Sequence, residues 1–202
     1  MDNKVYEIKE SAIADPGALG TAGFALTTMC LSLVNAQLVP GTILPLFLPL
    51  ALFYGGFVQV LAGMWEFKKN NTFGAAVFSS YGGFWIALAL MVLFVFHGTL
   101  TFGKDNADLG LGLGFYLVLW TIPTIYFFVA SFKTNWALLI TFIVLLPAFI
   151  CLDIGNLAGS SAFTIAGGYF GILAAIGAWY ISAASVINSS FKRTVLPVGP
   201  RT

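Results

Sequence analysis

Polar side chains that recur at helical spacing inside uncharged, apolar stretches are the residues of this chain best placed to do chemistry. Gly20, Phe24, Thr27 or Thr28, Leu31 and Asn35 follow one another at steps of three and four, so they share a helix face offering a ring, a hydroxyl and an amide. Gln59 stands four residues from both Gly55 and Gly63, and Ser79, Ser80 and Tyr81 precede Trp85. Leu145, Phe149, Leu152 and Asn156 share a further face. Hydroxyls, amides and glycine backbone can replace part of the water shell of a small polar or anionic solute without trapping it, which is the chemistry of passage and not of bond making. Taken singly, each group is better read as glue between two helices, worth about 0.6 kcal/mol in a bilayer. Four helices that each carry such a stripe point to a lined, uncharged pathway.

Signatures of catalysis are missing. The one histidine, His97, cannot build a metal site or supply both members of a nucleophile–base pair, and reads as a solvated residue at the outer end of a span. There is no phosphate-cradling glycine loop with a lysine and no HExxH. Cys30 and Cys151 lack the paired spacing of a disulfide or metal site and read as small apolar side chains. No enzyme activity, covalent step or cofactor is expected. Glu66-Phe-Lys68-Lys69 reads as a solvated loop. Asp153 is the one carboxylate between Trp136 and Phe191. It falls roughly 25 Å along its helix, which makes it an exposed acid at the interface, with a pathway or proton-linked group as the alternative.

The elements that must hold these residues follow from charge. From Pro16 to Trp65 the chain has no Asp, Glu, Lys, Arg or His, and such a stretch has no solvated face to offer. About 20 apolar residues cross a bilayer as a helix, so this stretch makes two spans, divided near Pro40-Gly41. The whole chain is 59% hydrophobic and 8% charged with mean hydropathy +0.93, against roughly 25% charged for soluble domains. Net charge is +1 and no basic stripe is present, which gives no case for nucleic acid.

Six spans are expected: Leu19–Val39, Ile43–Met64, Phe73–Phe96, Leu109–Ala130, Trp136–Leu152 and Phe163–Ile187. Tyr6, Trp65 and Trp136 sit near span ends, where amphipathic rings favour the interface, and Trp85, Trp120 and Trp179 lie deeper. Residues 1–15 mix acids and bases without an apolar core, which excludes a cleaved signal peptide; Val5, Ile8 and Ala12 are spaced for a short surface helix. Lys4, Lys9, Lys68, Lys69, Lys133, Lys192, Arg193 and Arg201 fall on one side of this topology and Lys104 on the other, placing both termini in the cytoplasm. The organisation expected is therefore a cytoplasmic segment over 1–15, an all-α membrane domain over 16–190 and a cytoplasmic tail over 191–202. Asp15 can cap the first helix with Pro16 at its first position. The small residues Gly167, Gly171, Ala174, Ala175, Ala178 and Ser182 form one face of the sixth span, and Gly110 to Gly114 open the fourth for close approach; sequence leaves open whether such faces meet a neighbour in the bundle or a second subunit.

Three blocks make the chain similar to the acetate uptake transporter family, whose bacterial members are succinate–acetate permeases. Asp15-Pro-Gly-Ala-Leu-Gly20 matches the family's Asn-Pro-Ala-Pro-Leu-Gly signature imperfectly. Phe53-Tyr-Gly-Gly56, Gln59, Ala62-Gly63, Glu66, Lys68-Lys69, Asn71-Thr-Phe-Gly74, Ser80-Tyr-Gly82 and Phe84-Trp85 form a long, specific block. Gly155-Asn156, the glycine-rich sixth span and Arg193-Thr-Val-Leu-Pro197 complete it. The resemblance implies a six-helix bundle in the plasma membrane, assembled as a homo-hexamer with one pathway per subunit. It implies uptake of acetate and, in some members, succinate, by an anion channel or by symport. By motif position the family's hydrophobic constriction falls on Phe24, Tyr81 and Leu145. The signature implies substrate binding at Asp15, Pro16, Leu19 and Gly20; the polar stripes themselves offer Thr27, Thr28, Asn35, Gln59 and Asn156 for further hydrogen bonds to the solute. A carboxylate at position 15, where the signature has Asn, repels an anion unless it is protonated or turned away, and is a candidate for proton coupling. At Asp153 the family generally has a small residue. A pore or exporter for ammonia or another small neutral solute, and a non-transporting membrane scaffold, are the alternative functions.

Overall fold

Hydrocarbon offers backbone groups no hydrogen bonds, so apolar stretches of this length must fold as helices. The computed structural model describes residues 13–200. Among them are six helices long and apolar enough to cross a membrane: α1 (Gly17–Asn35), α2 (Gly41–Lys68), α3 (Thr72–Phe96), α4 (Leu109–Ser131), α5 (Trp136–Leu157) and α6 (Ser161–Phe191). These are the six expected spans. Apart from Ile13, Ala14 and Asp15, the surface helix expected over 1–15 lies outside the described residues, as does Arg201.

Local chemistry sets the boundaries. Leu38 and Val39, expected in the first span, lie instead in a turn, because Gln37 takes a left-handed φ of 57° and the chain then meets Pro40. Pro16, not Asp15, occupies the cap of α1, and Asp15 Oδ1 accepts from Gly17 N–H at 3.2 Å from one residue further out. Asn71 caps α3 by accepting from Gly74 N–H, and Asn135 caps α5 by accepting from Leu138 N–H. α5 runs to Leu157 and α6 to Phe191, further than hydropathy alone suggests, and α6 stops at left-handed Lys192. α2 is irregular. It opens as a 3-10 turn over Gly41–Leu46 and runs as a wide π-helix over Leu50–Val58 before becoming α-helical at Gln59. Pro45 and Pro49 each withhold an amide hydrogen in this stretch, which removes the α-helical bond at those places.

The helices form a ring. α6 packs closely on α1 and α5, α5 on α4, α1 on α2 and α2 on α3. The small-residue face of α6 is what allows this. A Cβ at Gly171 would strike Ser32 of α1, one at Gly167 would meet Leu152 of α5 at 2.7 Å, and Ala174, Ala175, Ala178 and Ser182 are all buried. That face is therefore spent inside the bundle. Gly114 likewise lets α4 approach Leu157 of α5. The exception is the seam between α3 and α4, where the backbones barely meet. Side chains bridge it: Tyr116 Oη donates to the Phe84 carbonyl at 2.6 Å, Phe84 stacks on Tyr116 with centroids 5.5 Å apart, and Tyr81 meets Thr124 and Phe127.

Polar ties collect at the end of the bundle that holds Gly17 and Phe191, called here the terminal face. Lys69 Nζ donates to Asp15 Oδ1 at 3.0 Å and Ser185 Oγ to Asp15 Oδ2 at 2.7 Å, so one carboxylate joins the start of α1, the α2–α3 turn and α6. Ser182 Oγ donates to the Ala18 carbonyl. The segment after α6 folds back: Asn188 holds Val195 and Leu196, and the Gly199 and Val198 carbonyls accept from the Trp136 and Ala137 N–H groups at the start of α5. Burial pushes the Asp15 carboxyl up, but the hydrogen bonds from Ser185 and Lys69, the Lys69 charge and the Gly17 N–H together hold it below its ordinary value of 3.8. A group lowered in the folded state stabilises the fold above its ordinary value, and that contribution is lost as pH falls through the lowered one. Thermal melts of detergent-solubilised Asp15→Asn should therefore lie slightly below those of the parent at neutral pH, by the ~0–1 kcal/mol of a half-exposed ion pair, and converge with them below pH 3.8. A gap that persists in acid would show that the carboxylate charge is not what ties the three elements.

Candidate functional site

Phe24, Tyr81 and Leu145 stand seven, nine and nine residues from the terminal-face ends of α1, α3 and α5. At ~1.5 Å per residue that is one level, roughly 10–14 Å into the bundle. All three are buried, and the Phe24 and Tyr81 rings lie 5.5 Å apart. Around them Trp85 packs tilted, Phe127 edge-on and Phe149 stacked, within 6.4 Å of the Phe24 or Tyr81 ring. Tyr81 is held across the loose α3–α4 seam by its 3.0 Å hydrogen bond with Thr124 Oγ1.

This apolar waist separates two cavities that share Phe24 and Leu145 as walls. The larger, about 230 Å³, extends away from the terminal face and is lined by Thr28, Asn35, Trp85, Leu117, Asn156 and others. The smaller, about 30 Å³, lies toward the terminal face between Thr21, Gln59, Phe78, Tyr81 and Thr141. At ~10–15 Å³ of accessible space per molecule it has room for about two waters.

The polar groups around the waist are unusual for a protein interior. Gln59 is fully buried, yet neither Oε1 nor Nε2 has a hydrogen-bond partner within the protein. Thr28 Oγ1 and Trp85 Nε1, on the larger cavity, also lack one. Other hydroxyls bond back to their own helix, Thr21, Thr124 and Thr141 each donating to the carbonyl four residues back, while Ser79 Oγ, buried off both cavities, also lacks a partner. A buried polar group without a partner costs about 1–3 kcal/mol, so donors and acceptors left free on both sides of one constriction mark a place where something else supplies the hydrogen bonds.

Not every residue singled out from the sequence reaches this place. Of the adjacent threonines, Thr28 faces the cavity, whereas Thr27 turns to α2, donating to the Leu50 carbonyl at 3.4 Å and packing on Gly55. Asp15 and Pro16 lie at the terminal face, Leu19 is exposed on the outside of α1, and Gly20 packs on the Phe78 ring. None of these four lines either cavity. Asn35 and Asn156 do line the larger one, Asn156 also donating to the Leu152 carbonyl. Two acids differ from expectation. Glu66 is 2% exposed and no part of a solvated loop: Asn71 Nδ2 donates to it, and Gly17 and Gly74, at the starts of α1 and α3, lie against its carboxyl. Asp153 is 8% exposed and bonded to Thr121, so it is not an interfacial acid in water. Both misreadings share a cause, since the partner sits on a separate segment whose position the sequence does not show. His97 is exposed, as expected, and Cys30 and Cys151 are half-buried and free. Among the described residues no group of three His, Cys, Asp or Glu side chains could hold a metal ion.

Comparison with known proteins bears out the resemblance read from the motifs. A profile of the GPR1/FUN34/yaaH family matches residues 1–200. The chain is 38% identical over 189 residues to the succinate-acetate/proton symporter SatP of Escherichia coli, covering 93% of this chain and 96% of that one. It is 40% identical over 174 residues to ammonia transport outward protein 2 of Saccharomyces cerevisiae, covering 86% and 61% of the two chains. A solved structure described as the bacterial acetate channel SatP superposes with a TM-score of 0.85 at 37% identity, over 93% of this chain and 99% of that one.

Whether Gln59 is glue or a free binding group is measurable. Gln59→Leu is expected to leave the thermal midpoint of the solubilised protein unchanged or to raise it, by up to about 2 kcal/mol, because it removes two unpaired polar atoms at nearly constant volume. A loss of about 0.6 kcal/mol or more would assign Gln59 to helix–helix bonding instead.

Proposed function

The chain belongs to the GPR1/FUN34/yaaH family, and on that premise we propose that it carries small monocarboxylates, chiefly acetate, across the membrane through the waist between its two cavities. The observation that carries this reading is the pairing of an apolar constriction with unpartnered hydrogen-bonding groups on either side of it. A carboxylate entering the larger cavity meets the Thr28 hydroxyl and the Trp85 indole N–H, and the amides of Asn35 and Asn156 near its mouth. On the other side it meets the Gln59 amide. Each exchange replaces part of the solute's hydration, and the absence of Lys or Arg from the cavity linings keeps any one site from holding the anion too firmly.

At the waist Phe24, Tyr81 and Leu145 act as a size filter. The two cavities are separate, so a solute passes only when a side chain moves. The sparse backbone contact between α3 and α4 supports Tyr81 as the side chain that yields, since its partner Thr124 lies across that seam. The distribution of eight bases against Lys104 supports termini in the cytoplasm of a cell whose plasma membrane holds the protein. The broad apolar exterior of α2, α4 and α6 suits lipid and neighbouring copies in a homo-hexamer. Asp15, Pro16, Leu19 and Gly20 hold the start of α1 in this scheme, and act on substrate only through that position.

Ammonia or a small neutral solute is the second reading, favoured by the likeness to the yeast ammonia transport outward protein. Counterflow of labelled acetate against labelled methylammonium in proteoliposomes separates the two. Acetate flux is expected with the parent chain, and Tyr81→Ala should let propionate and butyrate through at several-fold higher rates relative to acetate. Unchanged size selection in Tyr81→Ala removes the waist from the mechanism, and methylammonium counterflow without acetate counterflow overturns the carboxylate reading.

A further inference from the structure

Asp153 is a buried carboxyl that the route just described does not use. Thr121 of α4 is its one hydrogen-bond partner among the described residues, with Oγ1 to Oδ2 at 2.8 Å, and Oδ1 has none. Thr121 Oγ1 also lies 3.1 Å from the Leu117 carbonyl. A hydroxyl has one hydrogen to give, which it would otherwise share between the two oxygens; two full two-centre bonds form when Thr121 donates to Leu117 and the Asp153 carboxyl donates to Thr121. Oδ1 is then the carbonyl oxygen of a neutral acid and not a buried charged oxygen with nothing to bond.

No charge stands opposite. α4 and α6, which pack on α5, contain no Asp, Glu, Lys, Arg or His, and neither does α3 across the seam. The titratable groups on these helices are Tyr81 on α3, Tyr116 and Tyr126 on α4, Tyr169 and Tyr180 on α6, and Cys151 on α5 itself. Tyr81 is bonded to Thr124, Tyr116 donates to the Phe84 carbonyl and Tyr180 to that of Pro197, while Tyr126 and Tyr169 are exposed on the outside.

The acid lies just behind the wall of the larger cavity. Leu152 beside it, Phe149 and Asn156 a turn to either side, and Leu117 on the neighbouring α4 all line that space. Three residues beyond Thr121, on the same face of α4, Thr124 holds Tyr81 at the waist. One helix thus carries both the contact to the acid and the contact to the constriction.

We propose that Asp153 is a proton-carrying group of the transport cycle, exchanging its proton with water in the larger cavity and acting through Thr121 and α4 on the Tyr81 constriction. A proton delivered by hydronium in the cavity forms the Oδ2–H bond and leaves water behind. On release the O–H pair of electrons stays on Oδ2, and Thr121 turns its hydrogen from the Leu117 carbonyl to the carboxylate. Asp153 is a positioning residue in this scheme, and the proposal rests on the carboxylate reading above.

The test uses the full chain in liposomes, with labelled acetate flux followed over a pH series and corrected for protein-free vesicles. Asp153→Asn keeps the side-chain volume and a bond to Thr121. It should keep flux at the acid end while flattening the pH profile at least threefold, with Thr121→Val flattening it as well. Acid-minus-alkaline infrared difference spectra should show the C=O stretch of a protonated carboxyl in the parent that Asp153→Asn removes. An unchanged pH profile in both variants, or the same carboxyl band in Asp153→Asn, overturns the proposal. Should Asp153→Asn fail to fold, Thr121→Val and the parent spectrum decide alone. A parent protein that moves no acetate at any pH defeats the carboxylate reading instead, and the infrared band still reports on Asp153.

Discussion

A bilayer supplies no hydrogen bonds, and that one shortage orders this bundle. The backbone meets it by being helical. Most hydroxyls meet it by bonding back to their own helix, as Thr21, Thr121, Thr124 and Thr141 do. Ends of helices meet it with Asn71, Asn135 and the returning tail. Against that background the few buried atoms left without partners stand out, and three of the groups involved, Thr28, Gln59 and Trp85, sit on the two cavities. A membrane protein keeps such atoms at a cost in stability, which is reasonable where a solute or water provides the missing bonds and costly elsewhere.

The ring of helices is closed in two different ways. Around α1, α5 and α6 glycines and alanines bring backbones into contact, so those seams are close-packed and stiff. Between α3 and α4 aromatic side chains span the gap. An aperture built on side chains changes by rotamer motion, whereas one built on backbone contact needs whole helices to shift. Tyr81 belongs to the first kind. The π-helical stretch of α2 serves the stiff side: it presents Gly55 to Thr27 and the Tyr54 carbonyl to Gly23, fixing α1 and with it Phe24.

Much of this is readable from sequence because lipid makes polarity informative. The six spans follow from hydropathy and from where charges are missing. The stripes through Phe24 and Asn35 and through Leu145 and Asn156 identify cavity walls because a 3.6-residue period fixes which side chains share a face. What escapes is which of two faces a residue takes when both are buried. Thr27 and Thr28 differ by ~100° around α1, and only the position of α2 decides that Thr27 packs while Thr28 faces the cavity. The burial of Glu66 depends on where the starts of α1 and α3 lie, and that of Asp153 on α4. The irregular pitch of α2 also goes unread: Pro45 and Pro49 announce a disturbance but not its form.

The placement of the acids follows from the same electrostatics. An unpaired carboxylate ~10 Å from a passing anion, at an effective dielectric constant of ~20, raises that anion's energy by about 2 kcal/mol, enough to lower its occupancy more than tenfold. A route for carboxylates therefore tolerates acids in its walls only if their charge is answered or absent. At the terminal face Asp15 is answered by Lys69, Ser185 and the Gly17 N–H, and Glu66 by Asn71 with two helix N-termini beside it. Behind the larger cavity no cation is available to Asp153, and a neutral carboxyl bonded to Thr121 is the arrangement that leaves the route open to an anion. Whatever charges Asp153 then acts on the solute directly as well as through α4: by Coulomb repulsion across the cavity wall, the charged acid disfavours passage of the anion.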